Sequence, residues 1–138
     1  MKQKIGAIVA GFILQMAGLF LIHSVWLKQE YTAPGSLWRS QQDAIARTWA
    51  MLLAVLIYVV GAVWIYSLTV KSASWVGQGI RFGILLAMVA VVYGSLSGWV
   101  ILPVSSMLVL KWIIGEGLLS VVFGLVVAYI CQPRFVSA

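Results

Sequence analysis

Four long apolar runs, separated by short polar stretches, dominate the hydrophobic pattern of this 138-residue chain. They cover roughly residues 5–27, 48–70, 82–102 and 106–130, and each is near the ~20 residues that a helix needs to cross a bilayer. None of the runs alternates apolar and polar residues with period two, which excludes the strands of a membrane β-barrel. The pattern predicts an all-α integral membrane protein, a four-helix transmembrane bundle that forms a single domain over residues 1–138.

Turn-forming and capping residues indicate where these helices begin and end. The longest connection, "KQEYTAPGSLWRSQQDAIAR", contains a Pro34-Gly35 turn signal. Ser40 and Asp43 have the spacing of a capping box, so the second helix is expected to begin outside the membrane near Gln41. The short apolar connection around Pro103 predicts an antiparallel hairpin of the last two helices. We therefore expect helices over about residues 5–27, 41–70, 80–102 and 106–130.

The amino-acid composition supports a membrane environment. The chain is 63% hydrophobic and 9% charged, with a mean hydropathy of +1.07, whereas a soluble domain is about 45–50% apolar and about 25% charged. The net charge of +6 comes from nine basic residues that are spread singly, so it does not predict a nucleic-acid partner. The N-terminal face carries five of them and the other face four, which favours both termini in the cytoplasm by the positive-inside rule. Those of the N-terminal face are Lys2, Lys4, Lys71, Arg81 and Arg134, and those of the other face are Lys28, Arg39, Arg47 and Lys111.

A single carboxylate interrupts the last apolar run. Glu116, in "KWIIGEGLLSVVFGLVV", lies close to the centre of its helix, and Gln15, Tyr58 and Tyr93 are the polar residues nearest the centres of the other three. Because lipid offers no hydrogen-bond partner, such groups usually face the bundle interior. With Ser120 one turn away from Glu116, these residues are expected to form a buried polar layer.

Two roles are open for that layer. In the structural one, Glu116 lacks a charged partner, is protonated by desolvation, and donates a hydrogen bond to Gln15 or a tyrosine, which fixes the helix register. In the functional one, Glu116 binds and releases a proton or a cation during transport. Lys111 does not face it, since five residues correspond to about 140° around a helix, and is expected to extend outward to the interface.

Two further features have both an ordinary and a specific interpretation. His23, the only histidine, lies near the outer end of the first helix, where it either bonds to backbone or water or serves as the single axial ligand of a chlorophyll-type pigment. Gly94 and Gly98, in "GSLSG", form a GxxxG motif that allows close helix contact within the bundle or between subunits. "GQGIRFG" lacks the strand and the full spacing of a phosphate-binding loop.

Motifs of known catalytic chemistry are missing from the sequence. It contains no Ser/His/Asp set, no HExxH and no paired carboxylates. The lone Cys131 excludes an internal disulfide and a cysteine-based metal cluster within one chain. We therefore expect neither an enzyme nor a metal site.

Three stretches, "HSVWLKQEY", "WVGQGIRFGILLA" and "LPVSSMLVLKWIIGEG", give the chain its resemblance to known proteins. It resembles small uncharacterised bacterial four-helix membrane proteins of the domain-of-unknown-function kind. The resemblance implies a multi-pass protein of the bacterial cytoplasmic (inner) membrane and nothing catalytic.

Two functions follow as predictions. The first is an accessory or structural subunit of a larger membrane complex, in contact with lipids or pigments and with other membrane subunits or with itself. The alternative is a small proton-coupled transporter that acts as a dimer through Glu116.

Overall fold

The computed structural model describes residues 1–32, 38–69 and 74–132, and within these ranges it is helical with no strand. Four of the described helices are long and apolar enough to cross a membrane. They are called here the first to fourth spans: Lys2–Trp26, Thr48–Thr69, Trp75–Ile101 and Ser106–Cys131. The predicted all-α four-helix bundle is confirmed. The Pro34-Gly35 turn signal lies outside the described residues.

Two of the spans change helix type along their length. The first span consists of α1 (Lys2–Leu19) and a π-helix (Phe20–Trp26), and two short helices follow it, α2 (Lys28–Thr32) and α3 (Gln41–Ala46). The second span is α4 (Thr48–Thr69), the third combines α5 (Trp75–Leu86), a π-helix (Ala87–Val92) and α6 (Tyr93–Ile101), and the fourth is α7 (Ser106–Cys131).

The predicted helix start at Ser40 is confirmed. Its hydroxyl accepts a hydrogen bond from the backbone N–H of Asp43 at 3.2 Å and caps α3. Hydrogen bonds from Arg39 and then Arg47 hold the pKa of the Asp43 carboxyl below its ordinary value. The helix expected from about residue 41 is divided in two, because α3 ends at Ala46 and the second span begins at Thr48.

Helix boundaries around the third span differ from the prediction at one end. The span begins at Trp75, earlier than the expected residue 80, and ends at Ile101, just before the Leu102-Pro103 pair. Ser105 then caps α7, since its hydroxyl accepts from the N–H of Leu108 at 3.2 Å. The short connection places the third and fourth spans side by side, as expected for a hairpin.

The fourth span lies at the centre of the contacts between spans. The first span packs against it on one side and the third on the other, while the second span packs mainly against the first. Fully buried Val59, Phe123 and Val127 form part of the shared core. The side-chain amide of Gln3 donates to the carbonyl of Gln132 at 3.2 Å, so both ends of the described chain lie at one end of the bundle. We call this end the N-terminal face and the end with α2 and α3 the opposite face.

Glycine allows the third and fourth spans to approach each other backbone to backbone. A Cβ added to Gly83 would lie 2.5 Å from the Cα of Val121, and one added to Gly79 would lie 2.8 Å from the Cα of Leu125. Gly79 and Gly83 are themselves a GxxxG pair, inside the "GQGIRFG" stretch. The contact is therefore a small-residue membrane interface.

The GxxxG pair singled out in the sequence does not form such a contact. A Cβ at Gly94 or Gly98 would have nothing within 4 Å in the described part of the chain. The prediction that this pair packs within the bundle is wrong, and contact between subunits stays a prediction. The motif shows only that two small residues lie on the same face of a helix. In the described part of the chain, that face points away from the other spans.

Candidate functional site

The only histidine of the chain lies beside its intramembrane carboxylate. Nε2 of His23 is 3.2 Å from Oε1 of Glu116, and the two side chains are 32% and 28% exposed. The sequence predicted that Glu116 has no charged partner. That prediction is wrong for the protonated form of His23, because its imidazolium ion is positively charged. Sequence reasoning treated the two residues separately, because they stand on the first and last spans.

Glu116 lies nearer the opposite face than the middle of its helix suggests. The neighbouring Gly115 packs against Ile22 and Trp26, which belong to the last turns of the first span. On its other side, a Cβ added to Gly117 would lie 4.0 Å from the Cβ of Ala87 in the third span. A histidine close to the end of one span can for this reason contact a glutamate well inside another.

His23 also contacts a tyrosine outside the spans. Its Nδ1 is 2.7 Å from the hydroxyl of Tyr31 on α2, and that hydroxyl accepts a 2.6 Å hydrogen bond from the indole N–H of Trp112. An indole nitrogen can only donate. Among the described residues, the arrangement that uses every donor has the Tyr31 O–H donating to Nδ1. In that tautomer the imidazole proton is on Nε2, towards Glu116.

The environment of Tyr31 keeps its hydroxyl available as a donor. Burial raises the pKa of Tyr31 above its ordinary value, although the hydrogen bond from Trp112 acts in the other direction. The phenol is therefore protonated at neutral pH. Trp38 packs edge-on against the ring of Tyr31 at 5.0 Å. An aromatic cluster thus covers this end of the site.

A second contact ties α2 to the fourth span. Lys111 extends to the opposite face, where its Nζ is 2.5 Å from Oε1 of Glu30. The side chains are 31% and 38% exposed, so the pair is a partly solvated link. It holds α2, and with it Tyr31, over the end of the first span.

A cavity of about 230 Å³ lies between all four spans, and Glu116 lines it. Gln15, Tyr58 and Ser120 contribute the other polar side chains of its wall. The remainder is aliphatic: Leu19, Ala54, Val55, Ala90, Val91 and Leu119. Glu116 therefore lies between the intramembrane cavity and the hydrogen-bonded pair of His23 and Tyr31.

Four of the five residues expected in the polar layer line this cavity, but not with the expected hydrogen bonds. Gln15 is 6% exposed and has no hydrogen-bond partner among the described residues. Ser120 donates to the backbone carbonyl of Glu116 at 2.9 Å. Tyr93 does not belong to the group, since it is 72% exposed on the outside of the bundle. Its depth was inferred from the sequence, but its direction was not.

Both π-helices border the site. His23 lies within Phe20–Trp26, and Ala90 and Val91 of the cavity wall lie within Ala87–Val92. A π-helix takes an extra residue into each turn and so rotates the residues that follow it, and such segments occur often at functional sites. No signal for them was read from the sequence.

Pigment ligation by His23 stays a prediction. Its two ring nitrogens already face Glu116 and Tyr31, so axial ligation of a magnesium would require His23 to leave one of them. Each of the three side chains, His23, Tyr31 and Glu116, can donate or accept a proton.

The fold and the site together define a multi-pass α-helical membrane protein with a carboxylate-lined cavity among its spans. No family model, curated protein or solved structure matches the chain.

Proposed function

We propose that this protein is a small proton-coupled transporter in which Glu116 binds and releases the proton. The observation that carries the proposal is the position of Glu116 between a cavity on one side and His23 on the other. Ionisable groups inside membrane spans commonly mark proton relays and transport paths. A purely structural carboxylate would be satisfied by a partner such as His23 and would need no cavity beside it.

The geometry supports a balanced proton transfer. Tyr31 takes a proton from water at the opposite face and passes its own hydroxyl proton to Nδ1 of His23. The imidazole releases its Nε2 proton to the carboxylate of Glu116 and ends neutral, with its proton on Nδ1. The 3.2 Å separation of Nε2 and Oε1 is at the outer limit for direct transfer. One proton enters, and the charge of the site changes from −1 to zero.

The same proposal includes a location. The membrane is the bacterial cytoplasmic one that the resemblance implies, and the slight excess of basic residues that the sequence predicts on the side of the N-terminus supports both termini in the cytoplasm. α2 and Tyr31 would then face the outside, and protons would reach Glu116 from there.

Infrared pH-jump spectroscopy on right-side-out vesicles tests function and orientation together. We expect the carboxylic acid band of Glu116 to change reversibly when the external pH is moved between an acidic and a basic value. Glu116→Gln should remove the band and identify it, while Asp43→Asn, at an exposed carboxylate on α3, should leave it in place.

A Glu116 band that is the same at both pH values would contradict the transport role and leave the structural one. A band that follows the internal pH alone would retain the proton site and reverse the orientation.

A second candidate is the accessory subunit of a larger complex. It is supported by the face of Gly94 and Gly98, which has no packing partner within the described chain, since such a face suits a helix of another subunit. After purification in mild detergent, mass determination separates the candidates. Larger unrelated subunits that co-purify favour the accessory role, and a pure homodimer or monomer excludes it.

A further inference from the structure

We infer that the cavity between the spans binds a small organic monocation, an ammonium group attached to an apolar body, in exchange for the proton of Glu116. This inference rests on the proposed proton-binding role and adds the class of substrate. The cavity wall carries the carboxylate of Glu116, the amide of Gln15, the hydroxyls of Tyr58 and Ser120, and otherwise aliphatic and aromatic surface.

The charge of the ligand follows from the groups around Glu116. From the first span it faces His23, and from the second Tyr58, while the third span contributes only Ala90 and Val91 to the cavity. The lysine of its own helix, Lys111, is paired with Glu30. Once its proton has left through His23, the carboxylate has no fixed cation beside it in the described chain. A ligand cation supplies that charge.

The polar contacts of the ligand follow from Gln15. This side chain is 6% exposed, lines the cavity, and has no hydrogen-bond partner among the described residues. The amide atoms of Gln15 are not fully enclosed, since no fully buried side-chain nitrogen or oxygen of the described residues lacks a hydrogen-bond partner, so a ligand group in the cavity can bond to them. An ammonium has three N–H donors. One can reach the carboxylate of Glu116, and another the amide oxygen of Gln15.

The size of the ligand follows from the volume. A cavity of about 150 Å³ is enough to hold benzene, so one of about 230 Å³ has room for a ring with a short ammonium arm. Tyr58 adds an aromatic surface, which attracts a cation that lies over it. Benzylammonium is a suitable probe, and benzyl alcohol is a neutral compound of nearly the same shape.

The exchange is balanced in atoms and charge. The carboxylic acid of Glu116 gives its proton to Nε2 of His23, whose Nδ1 proton leaves through Tyr31. The ammonium ion then pairs with the carboxylate. One cation enters and one proton leaves, and by linkage the cation binds more tightly as the pH rises.

Calorimetry on the full chain in lipid nanodiscs, in two buffers with different ionisation enthalpies, tests the inference. We expect benzylammonium to bind with release of about one proton, and its affinity to rise about tenfold per pH unit while Glu116 is protonated. Benzyl alcohol should bind far more weakly and release none. Glu116→Gln should abolish the proton release, and Gln15→Leu should weaken binding about tenfold while the release is kept.

Each other outcome overturns the inference. Equal binding of benzyl alcohol and benzylammonium without proton release would make the cavity an apolar site, such as one for a lipid chain. No binding of either would mean that the cavity takes no such ligand. In both cases the infrared titration of Glu116 still decides the proton-binding role separately.

Discussion

Replacing His23 by glutamine is expected to slow proton exchange at Glu116 by roughly 10²- to 10⁴-fold, the usual contribution of a positioned acid–base group. Glutamine can still bond to Tyr31 and Glu116, but its amide cannot accept a proton at one end and release another at the opposite end. The rate is measured from the rise of the Glu116 carboxylic acid band after an external pH jump.

Ser24→Ala is the matched control, since Ser24 adjoins His23 on the same π-helix and is exposed. It should leave the rate within about twofold of the unchanged protein, as is usual for a surface substitution. An unchanged rate in His23→Gln would show that protons reach Glu116 by another route, for instance through the cavity.

Gly83→Ala is expected to have a free energy of unfolding about 1–3 kcal/mol lower than that of Gly94→Ala, the usual cost of overpacking. The added methyl group would lie 2.5 Å from the Cα of Val121 and 2.6 Å from the carbonyl oxygen of Ser120. Both atoms belong to helix backbone, so the third and fourth spans must move apart to accept it. Unfolding in detergent micelles, followed by circular dichroism, gives the difference.

Gly94→Ala is the control for that substitution, because its Cβ would meet nothing within 4 Å in the described chain. Both variants gain the same helix propensity, about 1 kcal/mol for glycine to alanine, so the comparison isolates the packing. If the two variants were equally stable, the close approach at Gly83 would not contribute to the stability of the bundle.

Gly83→Ala and Ser24→Ala also test whether the contact between the third and fourth spans affects the cavity. Ser120, whose carbonyl oxygen faces Gly83, lines the cavity with Glu116. Spans separated by a methyl group at Gly83 would widen the cavity from its third-span side. Gly83→Ala should therefore weaken the binding of benzylammonium as well as the fold, whereas Ser24→Ala should affect neither.

The sequence by itself determined the number, the length and the approximate ends of the spans. Apolar runs near the thickness of a bilayer can only be helices, because every backbone polar group must be satisfied within the segment. Local chemistry determined the start of α3, where Ser40 caps the backbone of Asp43. The sequence also indicated Glu116 as a candidate, because a carboxylate in such a run needs a reason.

Only the tertiary structure decided which faces of the spans meet. Gln15 is buried and Tyr93 is exposed, although both were predicted at similar depths. Of the two GxxxG pairs, Gly79 and Gly83 contact another span, whereas Gly94 and Gly98 do not within the described chain. In a soluble bundle an apolar stripe would mark the inner face of each helix. Lipid is as apolar as the protein core, so a membrane helix that is apolar on all sides carries no such stripe.

The pairing of His23 with Glu116 could not be predicted for the same reason: the sequence does not show which faces of the spans meet. Their distance is set by the rotation of the first span against the fourth, by the π-helix that carries His23, and by the close contact at Gly115. None of these is a property of either segment alone. The hydrophobic pattern gives the approximate depth of a residue in the membrane, but the side chain that the residue meets is determined by the packing of small residues between spans.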